Sequence, residues 1–280
     1  MKFANQQDII IAMSLDGIRS VHDAHRLLPD GKGTFDLLLS RLKLLLEAKP
    51  YASVIMVVNP DTVASMTDSV TFLLDQGVRY LIVALNYAGP WDDESLKILE
   101  QQYHKLAKLY IKWTQKGKKF YLSPFEVKIA SHINYHKADT LRCDCGTRQL
   151  SVDPNGYLYP CVQFTAAGPQ SPWCIGSVSN GIDSTALQRI CSYKKKINHT
   201  CKNCAIEKRC LHTCACLNWQ TTGSLTKISP VLCQHERILT PIADQVGETL
   251  YAQRNKQFIQ KHYNDAYPLL SLLEDHLSGA

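Results

Sequence analysis

VRYLIVAL, residues 78–85, is an apolar run with a single charged residue, Arg79, and it decides how the fold of the chain is interpreted. SVIMVV at 53–58 has the same character, and IIIAMSL at 9–15 repeats it nearer the start. Near-continuous apolar runs of this length are typical of strands in a parallel sheet, whose two faces are both covered. The three runs therefore predict neighbouring parallel strands.

The segments between these runs have the spacing of amphipathic helices. Residues 34–49 repeat apolar side chains on one helical face, and similar patterns cover 62–76 and 92–116, ahead of FYL at 120–122. Strands that alternate with helices favour an α/β architecture built on a parallel sheet. We therefore predict an α/β fold between residues 8 and 122.

Composition and charge exclude several classes of protein. Hydrophobic residues make up 45% of the 280-residue chain and charged residues 20%, which excludes bulk disorder. The net charge of +6 is mild, and the one tight basic run, Lys194 to Lys196, is interpreted as a solvated helix end or loop. We therefore expect no nucleic-acid partner.

The amino-terminal stretch MKFANQQDIIIAMSLDG has an apolar run that is too short for a signal peptide or a membrane span. This predicts a cytoplasmic protein with no membrane partner. Thiols stay reduced in that compartment, so the eleven cysteines indicate metal or redox chemistry rather than a disulfide framework.

From residue 141 to 235 the pattern changes to short strands, turns and cysteines. SVDPNGYLYPC at 151–161 predicts a hairpin whose turn contains Pro154, Asn155 and Gly156. This stretch has too few long apolar elements to build a core of its own, so something else must hold it together. Helical patterns return afterwards, which predicts three regions: 1–140, 141–235 and a helical tail at 236–280.

The cysteine spacing in the middle region suits metal binding. CKNCAIEKRCLHTC at 201–214 has the spacing Cys-x2-Cys-x5-Cys-x3-Cys and is followed by Cys233, while upstream the order is Cys145-x10-Gly156-x4-Cys161. All-cysteine sets bind iron–sulfur clusters or structural zinc. Zinc sites usually show paired CxxC units, and this run has one, so the spacing favours clusters and leaves zinc open.

This series of spacings resembles the seven-cysteine signature of the SPASM domain, the carboxy-terminal extension of radical S-adenosylmethionine enzymes that modify peptides and proteins. The first half of the chain agrees. MSLDGIRSVHDAHR with DGKGTFD is similar to the fourth strand of the partial barrel in these enzymes and the loop after it, and VIMVVNPDT and LIVALNYAG are similar to strands five and six. The likeness covers residues 8–240 and implies the carboxy-terminal half of a (β/α)6 barrel, a SPASM domain and a helical tail.

The resemblance also implies two auxiliary 4Fe–4S clusters. The first would bind four thiolates: Cys143, Cys145, Cys161 and Cys214. The second would bind four others: Cys201, Cys204, Cys210 and Cys233. Cys174, Cys191 and Cys216 are left as bystanders, although Cys216 is close enough to Cys214 in sequence to substitute for it.

The CxxxCxxC motif, which binds the catalytic cluster of these enzymes, does not occur in the sequence. If the chain opens at barrel strand four, three βα units of about 30 residues each are missing, roughly 90 residues in all. A fragment or misplaced start, a split enzyme with a separate amino-terminal half, and a degenerate accessory protein remain as explanations. Segment 8–15 would then be an exposed apolar edge strand.

Ser14, in SLDG, is a residue that the likeness places near S-adenosylmethionine, at the carboxyl end of a parallel strand. The alternative is a strand-ending turn, in which Ser14 and Asp16 cap the next segment and Gly17 takes a positive φ. Asn59, at the end of the next strand, has the same two interpretations. His22 and His25 are interpreted as loop residues, and His212 as a solvent-facing side chain.

For the complete enzyme the resemblance implies radical chemistry on a ribosomally made peptide or protein. A third 4Fe–4S cluster would cleave S-adenosylmethionine, with electrons from a donor such as flavodoxin or ferredoxin. In the sulfatase-maturing branch of the family, an aspartate acts as the catalytic base at the position where this chain has Val162. Valine cannot take a proton, so sulfatase maturation is not expected, and no catalytic residue is assigned. The alternative is a non-catalytic iron–sulfur or zinc protein that serves in electron transfer or peptide binding.

Overall fold

The structure, a computed structural model, describes residues 2–134, 143, 145–146, 148–192 and 201–277. The chain divides into two compact units. The first consists of Met1–Asn134 together with Ile238–Ala280, and the second is Tyr135–Arg237.

A four-stranded parallel sheet organises the first unit. Its strands are β1 (Ala12–Ser14), β2 (Ser53–Val58), β3 (Tyr80–Leu85) and β4 (Tyr121–Leu122). They lie in the order β1-β2-β3-β4, and each pair is parallel. This confirms the predicted α/β fold with a parallel sheet.

The first 134 residues contain six α-helices within the part that the structure describes. They are α1 (Lys2–Gln6), α2 (Arg19–His25), α3 (Phe35–Ala48), α4 (Met66–Asp75), α5 (Asp93–Gln115) and α6 (Ser123–Ile133). Of these, α3, α4 and α5 correspond to the predicted helical patterns at 34–49, 62–76 and 92–116. The prediction of a loop at His22 and His25 is wrong, because both residues belong to α2. His22 is fully buried and accepts a hydrogen bond at Nδ1 from the backbone N–H of Asp16 (3.1 Å).

The main core lies on one face of the sheet. Val54, Met56 and Val58 of β2 are buried, and side chains of α3, α4 and α5 cover them. The intervening residues Ile55 and Val57 are only half-buried, so burial along β2 alternates from one residue to the next. Within the described residues, the second face of β2 is therefore less completely covered than a near-continuous apolar run suggests.

β1 forms one end of the sheet and is shorter than the apolar run that predicted it. Ala12 pairs with Ser53, the first residue of β2, so residues 9–11 have no partner in that strand. Ile9 and Ile10 are 42% and 89% exposed, which agrees with the expected exposed apolar residues beside this edge.

The second unit contains short elements only. It has β5 (Ser151–Val152), β6 (Leu158–Tyr159), β7 (Gly176–Ser177), β8 (Gly181–Ile182), α7 (Ser184–Cys191) and α8 (Ala215–Thr222). β5 and β6 form the predicted antiparallel hairpin, with Gly156 at φ +85° in its turn. Apolar packing in the described part of this unit consists of two small clusters, one of which contains the buried cysteines Cys145, Cys161 and Cys216.

Three helices follow: α9 (Pro230–Ala252), α10 (Lys256–Tyr263) and α11 (Tyr267–Leu277). α10 belongs to the first unit and is held there by Lys261, whose Nζ donates to the backbone carbonyl of Phe120 and contacts the buried carboxylate of Glu126. Glu126 also accepts a hydrogen bond of 2.7 Å from Tyr110. Of the helices that the structure describes, none combines the length and apolar character needed to cross a membrane.

Candidate functional site

The loops that follow β1, β2 and β3 bring polar side chains to one edge of the sheet. Asp16, Asn59 and Asn86 each lie one or two residues beyond a strand end, and carboxyl ends of parallel strands share an edge. Asn86 donates from Nδ2 to Oδ1 of Asn59 (2.8 Å), and its backbone N–H donates to the carbonyl of Val58 (2.9 Å). These bonds hold the two strand ends together.

Asp16 connects the end of β1 to β2. Its carboxylate accepts from Arg26 at 2.6 and 3.0 Å and from the backbone N–H of Val57 at 2.8 Å. Gly17 has φ +108°, and an added Cβ would lie 2.0 Å from Cβ of Ser69. The expected positive φ at Gly17 is confirmed, whereas Asp16 does not cap α2, whose N-cap is Ile18.

An open cavity of about 520 Å³ lies at this edge. It is lined by His25, Asn59, Pro60, Asp61, Asn86, Pro90, Asp92 and Ser95. Its volume is in the range of small-molecule sites. Asn59 is thus where the sequence predicted it, while Ser14 ends β1, pairs with Ile55 and is not one of the eight lining residues.

Most of the cavity's polar side chains were missed from the sequence. His25 Nε2 lies 3.0 Å from the carboxylate of Asp61, and Asp92 caps α5 by accepting a hydrogen bond from the backbone N–H of Ser95 (2.8 Å). Their places in the sequence could have identified two of them. Asn86 directly follows the strand run VRYLIVAL, and Asp92 is the first residue of the helical pattern at 92–116. The cavity therefore offers amide, imidazole and carboxylate groups to a polar ligand.

Five thiols form the first of two groups in the second unit, here called the first thiol group. They are Cys143, Cys145, Cys161, Cys214 and Cys216. Sγ of Cys216 lies 3.5 Å from Sγ of Cys161 and 3.5 Å from Sγ of Cys214. Hydrogen bonds with Cys145 and Cys214 hold the pKa of Cys143 far below its usual range, and a hydrogen bond with Cys216 lowers the pKa of Cys161 to about 6.

Aromatic side chains cover the first thiol group. Phe164 stacks on Trp173 with ring centroids 4.6 Å apart, and Trp219 meets Trp173 edge-on at 4.8 Å. The amide of Asn218, which is 1% exposed, donates to the backbone carbonyl of His212 (2.9 Å) and so positions the start of α8. The first thiol group is therefore packed against aromatic rings and an anchored helix start.

The second thiol group consists of Cys201, Cys204, Cys210 and Cys233. Successive turns position the first three, because the backbone N–H of Cys204 donates to the carbonyl of Cys201 (2.9 Å) and that of Cys210 to the carbonyl of Glu207 (3.3 Å). Burial and the neighbouring thiols of Cys204 and Cys233 raise the pKa of Cys201. Three of the four predicted ligands, Cys201, Cys204 and Cys233, are therefore close enough to interact electrostatically. The fourth, Cys210, is buried.

The donor set fits iron–sulfur clusters chemically. Both groups consist of cysteines only, which is the usual ligand set of such clusters. Between Cys210 and Cys214, Nδ1 of His212 is buried and has no hydrogen-bond partner among the described residues. Across the described ranges, no three His, Cys, Asp or Glu side chains have the arrangement needed to hold one shared metal ion. In a 4Fe–4S cluster each thiolate binds a different iron, so its ligands need not converge on one point.

The two other cysteines have no described sulfur–sulfur contact with either group, although Cys174 packs against the apolar cluster that contains the first thiol group. Sγ of Cys174 contacts the backbone carbonyl of Gly176, and Sγ of Cys191 contacts that of Gly146, each at 3.5 Å. Both thiols therefore have local structural partners.

Comparison with curated proteins finds a sequence relative. The cysteine-type anaerobic sulfatase-maturating enzyme of Clostridium novyi (strain NT) is 25% identical over 170 residues, which are 57% of this chain and 45% of that protein. The chain thus matches about half the length of the curated relative. No protein-family model matches the chain.

Solved structures share the fold. Native anSMEcpe with bound AdoMet and the Cp18Cys peptide superposes with a TM-score of 0.71 at 16% identity, over 90% of this chain and 72% of that one. Hexahistidine-tagged anSMEcpe with bound AdoMet gives a TM-score of 0.69 at 17% identity, over 98% and 71%. Together with the sequence relative, these matches confirm the resemblance to radical S-adenosylmethionine enzymes with a SPASM domain.

Proposed function

We propose that this chain, which resembles radical S-adenosylmethionine enzymes with a SPASM domain, contributes the cofactor-binding sheet edge and two auxiliary 4Fe–4S clusters to a peptide or protein maturase. The observation that carries the proposal is the first thiol group. It joins thiols from three separate segments, around residues 143–145, 161 and 214–216. Ordinary apolar packing does not require five cysteines at one point, whereas cluster binding does require several.

We assign residues 141–235 to the SPASM domain, with Cys143, Cys145, Cys161 and Cys214 on one cluster and Cys201, Cys204, Cys210 and Cys233 on the other. The small apolar clusters of this unit support the assignment, because a region with so little core gains stability from bound metal. When bound, auxiliary clusters supply electron transfer or a grip on the substrate.

We further propose that the 520 Å³ cavity binds S-adenosylmethionine. The cofactor has an ammonium group and a ribose diol, both of which donate hydrogen bonds, and the cavity presents the carboxylates of Asp61 and Asp92 and the amide of Asn59. In the similar structures of anSMEcpe, AdoMet is bound. Ser14 stays a proposed contact at the same sheet edge, on the strength of the resemblance.

Cleavage of the cofactor needs a site that the 280 residues do not contain. A CxxxCxxC-bound cluster supplies the electron for homolysis in radical S-adenosylmethionine enzymes, and this sequence has no such motif. We propose that the motif is supplied from outside these residues, either on the same polypeptide or by a separate amino-terminal half. The chain by itself would then bind cofactor without splitting it, and an electron donor such as flavodoxin or ferredoxin would serve the assembled enzyme.

The proposed substrate is a peptide or protein other than a sulfatase. The similar anSMEcpe structure holds a peptide, and the curated relative is named as a sulfatase-maturating enzyme. Val162 of this chain, which is 65% exposed, cannot take a proton, so the aspartate base of the sulfatase-maturing branch has no counterpart there. We propose a ribosomally made peptide as the substrate class.

The alternative function is that of a non-catalytic iron–sulfur or zinc protein that carries electrons or holds a peptide. The two are distinguished by anaerobic reconstitution of the chain, followed by assays of iron, sulfide and zinc and by equilibrium dialysis with radiolabelled S-adenosylmethionine. The proposal expects about eight irons and eight sulfides per chain, and saturable cofactor binding.

Deoxyadenosine is then measured with dithionite, with and without an added polypeptide that bears CxxxCxxC. Formation only in the mixture supports the split-site proposal. Iron without cofactor binding would favour the accessory protein, and zinc without sulfide would overturn the cluster assignment altogether.

A further inference from the structure

The first thiol group holds one thiol more than a 4Fe–4S cluster needs. Cys214 interacts with both Cys143 and Cys216. Cys143 also forms a hydrogen bond with Cys145, and Sγ of Cys216 lies 3.5 Å from Sγ of Cys161. Cys143 and Cys216 therefore both lie next to Cys214, and each is close to at least one more thiol of the group.

We propose that Cys216 is an alternative fourth ligand of this cluster, which binds iron when Cys143 is absent, so that the site has two interchangeable fourth ligands. The inference rests on the proposed cluster-binding function and deepens it. Its basis is distance and burial, since Cys216 is 4% exposed and lies 3.5 Å from two of the other thiols. A thiol in that position needs a side-chain rotation rather than a backbone movement to reach iron.

The backbone around Cys216 is held in place from both sides. Cys214 is the N-cap of α8, and Ala215, between the two cysteines, is fully buried. Asn218, in the same turn, donates to the carbonyl of His212 and accepts from the backbone N–H of Ser229 (3.4 Å). The two thiols at 214 and 216 are thus presented together by one anchored turn.

A purely structural role is the alternative, because a buried unligated cysteine behaves as a small hydrophobic side chain. Cys216 packs among Tyr159 and Phe164, which fits that role equally. Packing and ligation predict different iron contents for Cys143→Ala. If Cys216 only packs, this variant loses the first cluster, whereas if Cys216 binds iron, the variant keeps it.

The test compares anaerobically reconstituted wild type with Cys143→Ala, Cys216→Ala and the double variant. Iron, acid-labile sulfide and the electron paramagnetic resonance of the reduced clusters are measured. We expect Cys143→Ala to keep about eight irons, with an altered resonance, and the double variant to fall to about four. Cys191→Ala, which removes a thiol outside both groups, is the control and keeps about eight irons.

Two results would overturn the inference. Loss of half the iron from Cys143→Ala alone would show that Cys216 cannot replace it, and full iron in the double variant would show that neither thiol is used. The four irons of the second thiol group are the internal check on folding, since a misfolded variant loses those too. A wild-type chain without iron would instead refute the proposed function itself.

Discussion

The side-chain amide of Asn86 donates a hydrogen bond of 2.8 Å to the amide oxygen of Asn59, and this bond joins the ends of two neighbouring parallel strands. Because Oδ1 of Asn59 is the acceptor, the orientation of its amide group is determined and its NH2 group is left as a donor. Both residues line the 520 Å³ cavity. The pair therefore links the geometry of the sheet to the proposed cofactor site.

Replacement of Asn59 by alanine is expected to weaken S-adenosylmethionine binding about tenfold, which corresponds to about 1.4 kcal/mol. The variant removes an amide from the cavity and leaves Nδ2 of Asn86 without its acceptor. Equilibrium dialysis or calorimetry gives the Kd. Asn134→Ala, on the exposed end of α6, is the matched control, and equal affinities in all three proteins would show that the cofactor binds elsewhere.

Replacement of Cys204 by alanine is expected to remove about four of about eight irons, because it takes one thiolate from the second thiol group. Cys191→Ala serves as the control, since its Sγ contacts only the backbone carbonyl of Gly146 among the contacts described for it. Iron and sulfide analysis after anaerobic reconstitution measures the loss. Retention of full iron in Cys204→Ala would remove this residue from the ligand set.

Replacement of Gly17 by alanine is expected to lower the free energy of unfolding by about 3 kcal/mol or more. The added Cβ would lie 2.0 Å from Cβ of Ser69, and the φ of +108° is strained for any other residue. Gly31→Ala is the matched control, because Gly31 has φ +83° but no atom within 4 Å of an added Cβ.

The control should cost about 1 kcal/mol, from backbone strain alone. Urea denaturation of the two variants measures the difference. Similar losses in both would show that the turn after β1 relaxes to make room.

Acid should destabilise the first unit through His262. Burial lowers the pKa of this side chain to about 4, whereas in the unfolded chain it is near 6.5. Between these values the unfolded state binds the extra proton, so stability falls as the pH decreases, by about 2 kcal/mol between pH 7 and pH 5.

His262→Phe keeps the packing of the ring against Phe258 and should flatten this pH dependence. Urea denaturation at pH 7 and pH 5 compares the variant with wild type, and His104→Gln, on an exposed position of α5, is the control. An unchanged slope in His262→Phe would assign the acid sensitivity to other groups.

Local patterns predicted most of the elements correctly. The run at 53–58 is β2, the run at 78–85 contains β3, and the helical pattern at 92–116 is α5 to within one residue at each end. Such elements are specified by hydrogen bonding and side-chain period within a few residues of chain. The run at 9–15 was predicted too long, because the length of an edge strand depends on where its neighbour begins, and β2 begins opposite Ala12.

The cavity was only partly predicted. Asn59 was identified from its place after a strand, but His25 was assigned to a loop, and its contact with Asp61 spans 36 residues of sequence. The buried ring of His22 was likewise missed, since its bonds to Asp16 and Thr34 depend on how α2 folds back on the end of β1. Sequence spacing carries no information on such distances.

By itself, the sequence determined the parallel α/β sheet, the hairpin at 151–161, the cysteine-rich second unit and the resemblance to radical S-adenosylmethionine enzymes. Each of these follows from the spacing of apolar residues, turn residues or cysteines along the chain. Only the tertiary structure decided that Cys216 lies 3.5 Å from Cys161, a residue 55 positions away, and that one sheet edge encloses a cavity. Those features depend on where α8 and the strand-end loops pack. Packing is set by contacts between distant residues, which no local pattern specifies.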